Sequence, residues 1–296
     1  MKIYNLGSLN IDYVYSVPHF VRPGETLSST VMQVFPGGKG LNQSVALARA
    51  GSQVIHGGRI GENGKFLVDI LRDAGADVRY VETGSESTGH AIIQVDESGQ
   101  NCILLYPGAN HSFTEEFIRK VLSDAQPGDI LLLQNEINHL DVLFAVAAEK
   151  KLQIAFNPSP FREELLRLPL HQVKWWLCNE IEGGQLTGKQ EPEEIAEAML
   201  RRFPDSNIVL TLGKDGCIFK NKSQTVRQPI FKVKAMDTTA AGDPFTGYFL
   251  AMVAAGKTIT EALRIASRAA SISVSRMGAS ASIPTLEEVL TLDAGN

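Results

Sequence analysis

The chain has 296 residues, 44% hydrophobic and 21% charged, with a net charge of −5. That composition suits a folded globular protein rather than a disordered one, and the dispersed Lys and Arg form no basic stripe, which argues against a nucleic-acid partner. Cys102, Cys178 and Cys217 are too widely spaced for a disulfide framework or a metal cluster. No apolar run reaches the ~18 residues of a spanning helix, and the N-terminus lacks a signal-type apolar core, so the reading is no membrane partner and a reducing, cytoplasmic setting.

In chain order, short apolar runs predict buried strands at 3–7, 102–106, 129–134, 152–156, 174–178 and 207–212. Between several of them, apolar residues spaced by three and four predict helices. The stripes are Phe66, Leu67, Ile70 and Leu71; Phe117, Ile118, Val121 and Leu122; and Leu143 and Val146 beside Ala147. Further helices are expected over 44–50 and 245–255. The alternation predicts an α/β fold, a mostly parallel sheet with helices packed on its faces. No linker or repeat divides residues 1–296, so one domain is expected. Residues 13–35 and 88–106 break the pattern. They read as β ribbons joined by turns, and a small antiparallel flap is expected there.

Polar residues cluster where the predicted strands end: Asn10 and Asp12, Asn135 and Glu136, Asn157, Asn179 to Glu182, and Gly213. Ligands of open α/β sheets bind at that carboxyl edge, so these clusters predict one cleft.

Three glycine-containing stretches bear on chemistry. Gly37-Gly38-Lys39-Gly40-Leu41-Asn42-Gln43 enters a predicted helix and suggests either a phosphate cradle or a turn that merely needs glycine. It is not a dinucleotide fingerprint, because Gln43 replaces the third glycine, nor a P-loop, because Gly40 follows the lysine. The P-loop-like run over 251–258 lacks its first glycine. Gly256 ends one helix there, and Thr258 with Glu261 forms a capping box for the next. The third stretch, Asp-Thr-Thr-Ala-Ala-Gly-Asp at 237–243, precedes Pro244 and an apolar helix. Asp243 and Pro244 fit an N-cap and first helical residue. Alternatively, Ala240, Ala241 and Gly242 leave open amides at a helix N-terminus that stabilise a phosphoryl group in transfer, and Asp243 takes the proton of an attacking hydroxyl.

These residues, with Gly-Ser-Leu-Asn-Ile-Asp at 7–12, Pro-Gly-Glu-Thr at 23–26, Asn-Pro-Ser-Pro at 157–160, Asn-Glu-Ile-Glu at 179–182, Thr-Leu-Gly-Lys-Asp-Gly at 211–216 and Arg-Met-Gly-Ala-Ser-Ala-Ser-Ile-Pro at 276–284, stand in an order that resembles the ribokinase family, also called the PfkB carbohydrate kinases. Within the family, the kinases of ribose are most similar. The resemblance implies a Rossmann-like three-layer sandwich with a small β-sheet lid. It implies transfer of the γ-phosphate of ATP to the primary hydroxyl of a pentose, ribose first, with a nucleoside, deoxyribose or ketohexose as the alternative. A non-catalytic sugar sensor is a third reading, disfavoured because a sensor has no need of a base.

By the same resemblance, Asp243 is the base and Ala240, Ala241 and Gly242 form the anion hole. The glycine-rich loop then contacts sugar instead of phosphate, through Gly38, Lys39 and Asn42, joined by Asn10, Asp12 and Glu136. ATP lies against Asn179, the Thr211, Gly213 and Gly216 loop, Gly242 and the helix near Ser267. Glu182 organises Mg²⁺. K⁺ sits near Asp237 with Thr239, Ser273, Arg276, Gly278 and Ser282, mostly through main-chain carbonyls. The lid closes over the sugar and pairs two subunits into a homodimer. Ser267, Arg268, Pro244, His90 and Tyr106 depart from the family pattern.

Overall fold

A computed structural model describes residues 1–237 and 241–291. The chain opens with β1 (Ile3–Leu6), β2 (Asn10–Ser16) and β3 (Val31–Gly37), then α1 (Lys39–Arg49), β4 (Val54–Ile60), α2 (Lys65–Asp73) and β5 (Asp77–Thr83). It continues with β6 (Gly89–Val95), β7 (Asn101–Tyr106), α3 (Glu115–Val121), β8 (Ile130–Gln134), α4 (Leu140–Lys150), β9 (Gln153–Asn157), β10 (Val173–Asn179), α5 (Glu180–Thr187) and α6 (Pro192–Arg202). The last part holds β11 (Asn207–Thr211), β12 (Cys217–Lys220), β13 (Thr225–Gln228), α7 (Gly242–Ala254), α8 (Ile259–Val274), α9 (Ala279–Ser282) and α10 (Leu286–Thr291).

Nine strands form the main sheet in the order β13-β12-β11-β10-β9-β8-β1-β4-β5, parallel except where β12 runs against both its neighbours. Alternate residues of each central strand feed two cores. Ile130 and Leu132 of β8 pack with α1, α2, α7 and α8, whereas Leu131 and Leu133 pack with α3, α4, α5 and α6. Burial on both faces is why these strands read as unbroken apolar runs, and the result is the expected three-layer sandwich.

The helix stripes hold with one exception. Leu67 and Leu71 of α2 are buried, but Phe66 is exposed. The capping box of Thr258 and Glu261 starts α8, and Gly256 adopts φ +76° after α7. The helix after the glycine-rich loop begins at Lys39 rather than Ser44, because Gly38 at φ +92° turns the chain into it. Similarly α7 begins at Gly242, ahead of the predicted 245.

The two irregular stretches form a second sheet of four strands, β3-β2-β6-β7. It is not the purely antiparallel flap expected, because its central pair, β2 and β6, runs parallel. Both strands leave the same side of the main sheet, so they enter the lid in the same direction. Strand β7, expected to be buried over 102–106, is exposed along its whole length because it is the lid's edge.

Candidate active site

Asp243 is buried in the first turn of α7, where it faces the first turn of α1. Its Oδ2 accepts from Asn42 Nδ2 at 3.0 Å and its Oδ1 from Gln43 Nε2 at 2.8 Å. The N-cap reading of Asp243 fails: Ala241 occupies that position with no side-chain cap, and the carboxylate is turned away from its own helix toward α1. Pro244 lies inside the first helical turn, where the amide it lacks has no intrahelical acceptor. A Cβ added at Gly242 would meet nothing within 4 Å, so the space above that amide is open.

The linings of two cavities are linked here by a hydrogen bond. The first, about 230 Å³, is lined by Lys39, Asn157, Asn179, Glu182, Thr211 and the stretch from Ala241 to Asp243, with others. A second of about 260 Å³ reaches Asn10, Tyr106, Asn110, Asn135, Glu136 and Arg162. The join is a hydrogen bond from the Lys39 amide to Glu136 Oε2 at 3.0 Å. Ser8 Oγ donates to the same carboxylate oxygen and accepts from the Gly40 amide at 3.2 Å, while the Leu41 amide reaches the Ser8 carbonyl at 2.9 Å. The first amides of α1 are therefore occupied by protein groups, which removes the phosphate-cradle reading of this loop.

At the lid base, Asn10 Oδ1 accepts from Asn110 Nδ2 at 2.7 Å. Asp12 stands close over Gly37, where any side chain would collide with its carboxylate. Asn42 Oδ1 is buried without a hydrogen-bond partner, an acceptor left over for a hydroxyl.

Burial dominates the electrostatics. It pushes the Asp243 and Glu136 carboxyls up, opposed in both by the Lys39 ammonium and by hydrogen bonds. Burial also works against the charge on Lys39, but the carboxylates of Asp243, Glu136 and Glu182 outweigh it and hold the ammonium charged. Asp12 is pushed up to about 7 by burial and then by Glu136.

Glu182 is fixed by a capping box at the start of α5: its Oε2 accepts from the Asn179 amide at 3.1 Å, and its own amide donates to Asn179 Oδ1 at 2.8 Å. Glu182 lines the first cavity together with Asp243, and a single carboxylate such as Glu182 fits a hard cation that keeps most of its ligands as water and phosphate oxygens. Asp237 Oδ2 accepts from the Gly278 amide at 3.1 Å, and the amides of Met236 and Asp237 both reach the Val274 carbonyl. Ser273 and Ser282, also expected around a monovalent ion, meet through their hydroxyls at 2.5 Å. The Arg276 guanidinium instead reaches Glu288 at 2.6 Å, and its amide donates to the Ser273 carbonyl at 3.0 Å. Thr239 and Ala240 lie outside the described residues.

On the adenine side, three of the expected residues lie outside both cavities. Ser267 lines neither cavity, being buried with its Oγ 3.9 Å from Cys217 Sγ. Gly213 and Gly216 also lie outside them; Gly216, at φ +90°, makes the turn into β12, where a Cβ would strike the Gln228 carbonyl. Arg268 packs over the Phe231 ring at 5.2 Å. In the lid, His90 and Tyr106 pair with ring centroids 5.1 Å apart, and Tyr106 lines the second cavity.

Sequence reading overlooked Gln43, Gln134 and Asn5. The signal was available: Asn5 follows Ile3, Gln134 follows Leu132 and Asn157 follows Ala155 on the face that α1 covers, each a polar residue closing an otherwise apolar row.

The model of the pfkB family carbohydrate kinases matches residues 2–286. The chain belongs to this family. It is therefore a phosphotransferase with an alcohol group as acceptor. The ribokinase of Haemophilus influenzae is 37% identical over 96% of each chain. Among solved structures, the ribokinase of Thermotoga maritima superposes with a TM-score of 0.88 at 36% identity over 100% of both chains. The Arabidopsis thaliana ribokinase, solved with ribose and ATP, gives 0.84 at 30% identity over 98% of both.

Proposed function

We propose that this chain is an ATP-dependent kinase of a pentose, D-ribose first, forming ribose 5-phosphate. The observation that carries the reading is that Asp243 stands beside the open space over Gly242 and is hydrogen-bonded to Asn42, while Lys39, which lines the same cavity, donates its amide to Glu136 in the cavity that Asn10 lines. Relatives of similar length that are named for ribose support the substrate.

Asp243 removes the proton from the primary hydroxyl as its oxygen bonds to the γ-phosphorus. The bond from phosphorus to the bridging oxygen of ATP breaks, and the electron pair leaves on ADP. Amides of Ala240, Ala241 and Gly242 hold the phosphoryl oxygens. Asn179, Thr211, Gly213, Gly216 and Ser267 are proposed on the nucleotide side. Lys39 stays charged between the sugar carboxylates and the phosphates. Mg²⁺ at Glu182 would neutralise phosphate charge, and K⁺ beside Asp237, Thr239, Ser273, Arg276, Gly278 and Ser282 would shape the anion hole. Assaying kcat/KM over ribose, 2-deoxyribose, fructose and several nucleosides tests the reading: ribose should lead, and no ADP release with any of them would overturn it.

Asp12 supplies a pH prediction. Its raised pKa means the free protein binds this proton more tightly than the unfolded chain does, so the stabilisation it gives at low pH fades as pH rises through about 7. Sugar hydroxyls donating to the carboxylate favour its charged form and release the proton. Ribose affinity should therefore climb between about pH 6 and 7 and level off by about pH 8. Calorimetric titration across that range checks it, and Asp12→Asn should flatten the profile; a flat wild-type profile would count against Asp12 as a ligand.

No described helix is long and apolar enough to cross a membrane. We further propose a cytoplasmic homodimer paired through the lid, whose strands expose Val31, Met32, Val34, Ile103, Leu104 and Leu105. Sedimentation velocity should give a dimer for the wild type and a monomer for Leu104→Asp; a wild-type monomer would remove this proposal.

A further inference from the structure

From Asp243, a chain of buried side-chain hydrogen bonds crosses the interior. Gln43 Nε2 donates to Asp243 Oδ1 at 2.8 Å, and Gln43 Oε1 accepts from Gln134 Nε2 at 2.7 Å. Gln134 Nε2 also reaches Asn5 Oδ1 at 3.0 Å, and Asn5 Nδ2 donates to the Gly40 carbonyl at 2.9 Å and to Ser44 Oγ at 2.8 Å. Ser44 Oγ meets His56 Nδ1 at 2.8 Å. Every member is buried, and His56 is held neutral because burial pushes its pKa down to about 3.

The direction of the chain is set at its ends. A carboxylate only accepts, so Gln43 must present its NH₂ to Asp243 and its carbonyl to Gln134. At the other end the Gly40 carbonyl forces Asn5 to present its NH₂ there and its oxygen to Gln134. Gln134 is thus caught between two acceptors, and its own Oε1 is left buried without a partner. An orphaned acceptor in a close-packed interior is unfavourable, and a purely structural core would avoid it with an apolar residue.

We propose that Gln43, held in turn by Gln134, is the positioning residue of the base. This rests on the reading of Asp243 as that base. Asn42 and Gln43 each supply one donor, so both carboxylate oxygens are tied to one helix turn. The carboxylate plane is fixed while lone pairs remain for the incoming hydroxyl proton. Asn42 is expected to trade its contact for sugar, whereas Gln43 lies on the far side, fastened to strand β8 through Gln134. Other charged groups around Asp243 are Lys39 on α1, Glu136 after β8 and Glu182 on α5.

The test compares Gln43→Met, Gln134→Met and their double variant with Asp243→Asn, measuring kcat with ribose and ribose affinity by calorimetry. Gln43→Met should lose on the order of 10- to 100-fold in kcat with ribose affinity changed less than about threefold. Gln134→Met should lose less, and the double variant should match Gln43→Met alone, because both act through one contact. Wild-type kcat in Gln43→Met, or an equal loss of affinity and turnover, would overturn the proposal. Should Gln43→Met not fold, Gln43→Glu keeps the shape and sets a second carboxyl against Asp243: the acid limb of kcat should move to higher pH, and an unmoved limb with unchanged kcat would refute positioning. Activity in Asp243→Asn would instead remove the base reading itself.

Discussion

Asp243→Asn is expected to fold, to bind ribose, and to lose turnover by about 10²- to 10⁴-fold, the usual contribution of a positioned general base. Asn matches Asp in shape but cannot take a proton. Its amide can still meet Asn42 and Gln43 only by rearranging, since both present NH₂ groups to the site. The stability change should be small for a related reason. The native carboxylate is disfavoured by burial, so exchanging it for a neutral group removes that penalty together with its attraction to Lys39. Matched thermal melts, ribose titration and steady-state kinetics separate the cases. Turnover near wild type would show that Asp243 serves the fold alone, while loss of ribose binding together with turnover would place it among the sugar ligands.

Gly247→Val should give the largest stability loss. Helix α7 crosses α1 with almost no space between them: a Cβ at Gly247 would lie 2.4 Å from Ala46 Cβ, 2.9 Å from the Leu47 amide and 3.0 Å from the Gln43 carbonyl. Two of the three obstacles are backbone, so the helices must move apart. Overpacking of this kind typically costs about 1–3 kcal/mol and can exceed that when backbone must shift. The same crossing brings Asp243 to Asn42 and Gln43, so the folded fraction should also turn over more slowly. A urea midpoint clearly below wild type, with lowered kcat per folded molecule, is expected. An unchanged midpoint would mean that the helix pair is looser than its geometry indicates.

Strands buried on both faces were easy to read, because Ile-Leu-Leu-Leu at 130–133 has no competing periodicity. β4 and β5 were missed for the opposite reason: Val-Ile-His-Gly-Gly-Arg-Ile interrupts its apolar residues with His56 and two glycines, and β5 is a half-exposed edge strand. The four-residue β12 and β13 are too short to show a period. In the lid, composition predicted ribbons, but the parallel pairing of β2 with β6 depends on where the main sheet sends each strand, which local sequence does not encode.

The candidate site was legible where polar residues follow apolar strands, since that edge of the sheet is fixed by topology. Glu136, Asn179, Glu182 and Asp243 meet at the cavities from four separate elements. Asp243 could not be separated from an N-cap by sequence alone, since either role suits an Asp before Pro244; the partners on α1 decide it. The polar residue closing the apolar row at Gln134 is visible in the sequence, but what Gln43 and Gln134 do together is not, because it lies in a contact that spans 91 residues.

The most direct measurement is the nuclear magnetic resonance spectrum of the product formed from ribose, ATP, Mg²⁺ and K⁺. Phosphorus coupled to the two C5 protons, in amounts equal to the ADP released, is the expected result. ADP released without ribose, or phosphate on any other ribose oxygen, would contradict transfer to the primary hydroxyl beside Asp243.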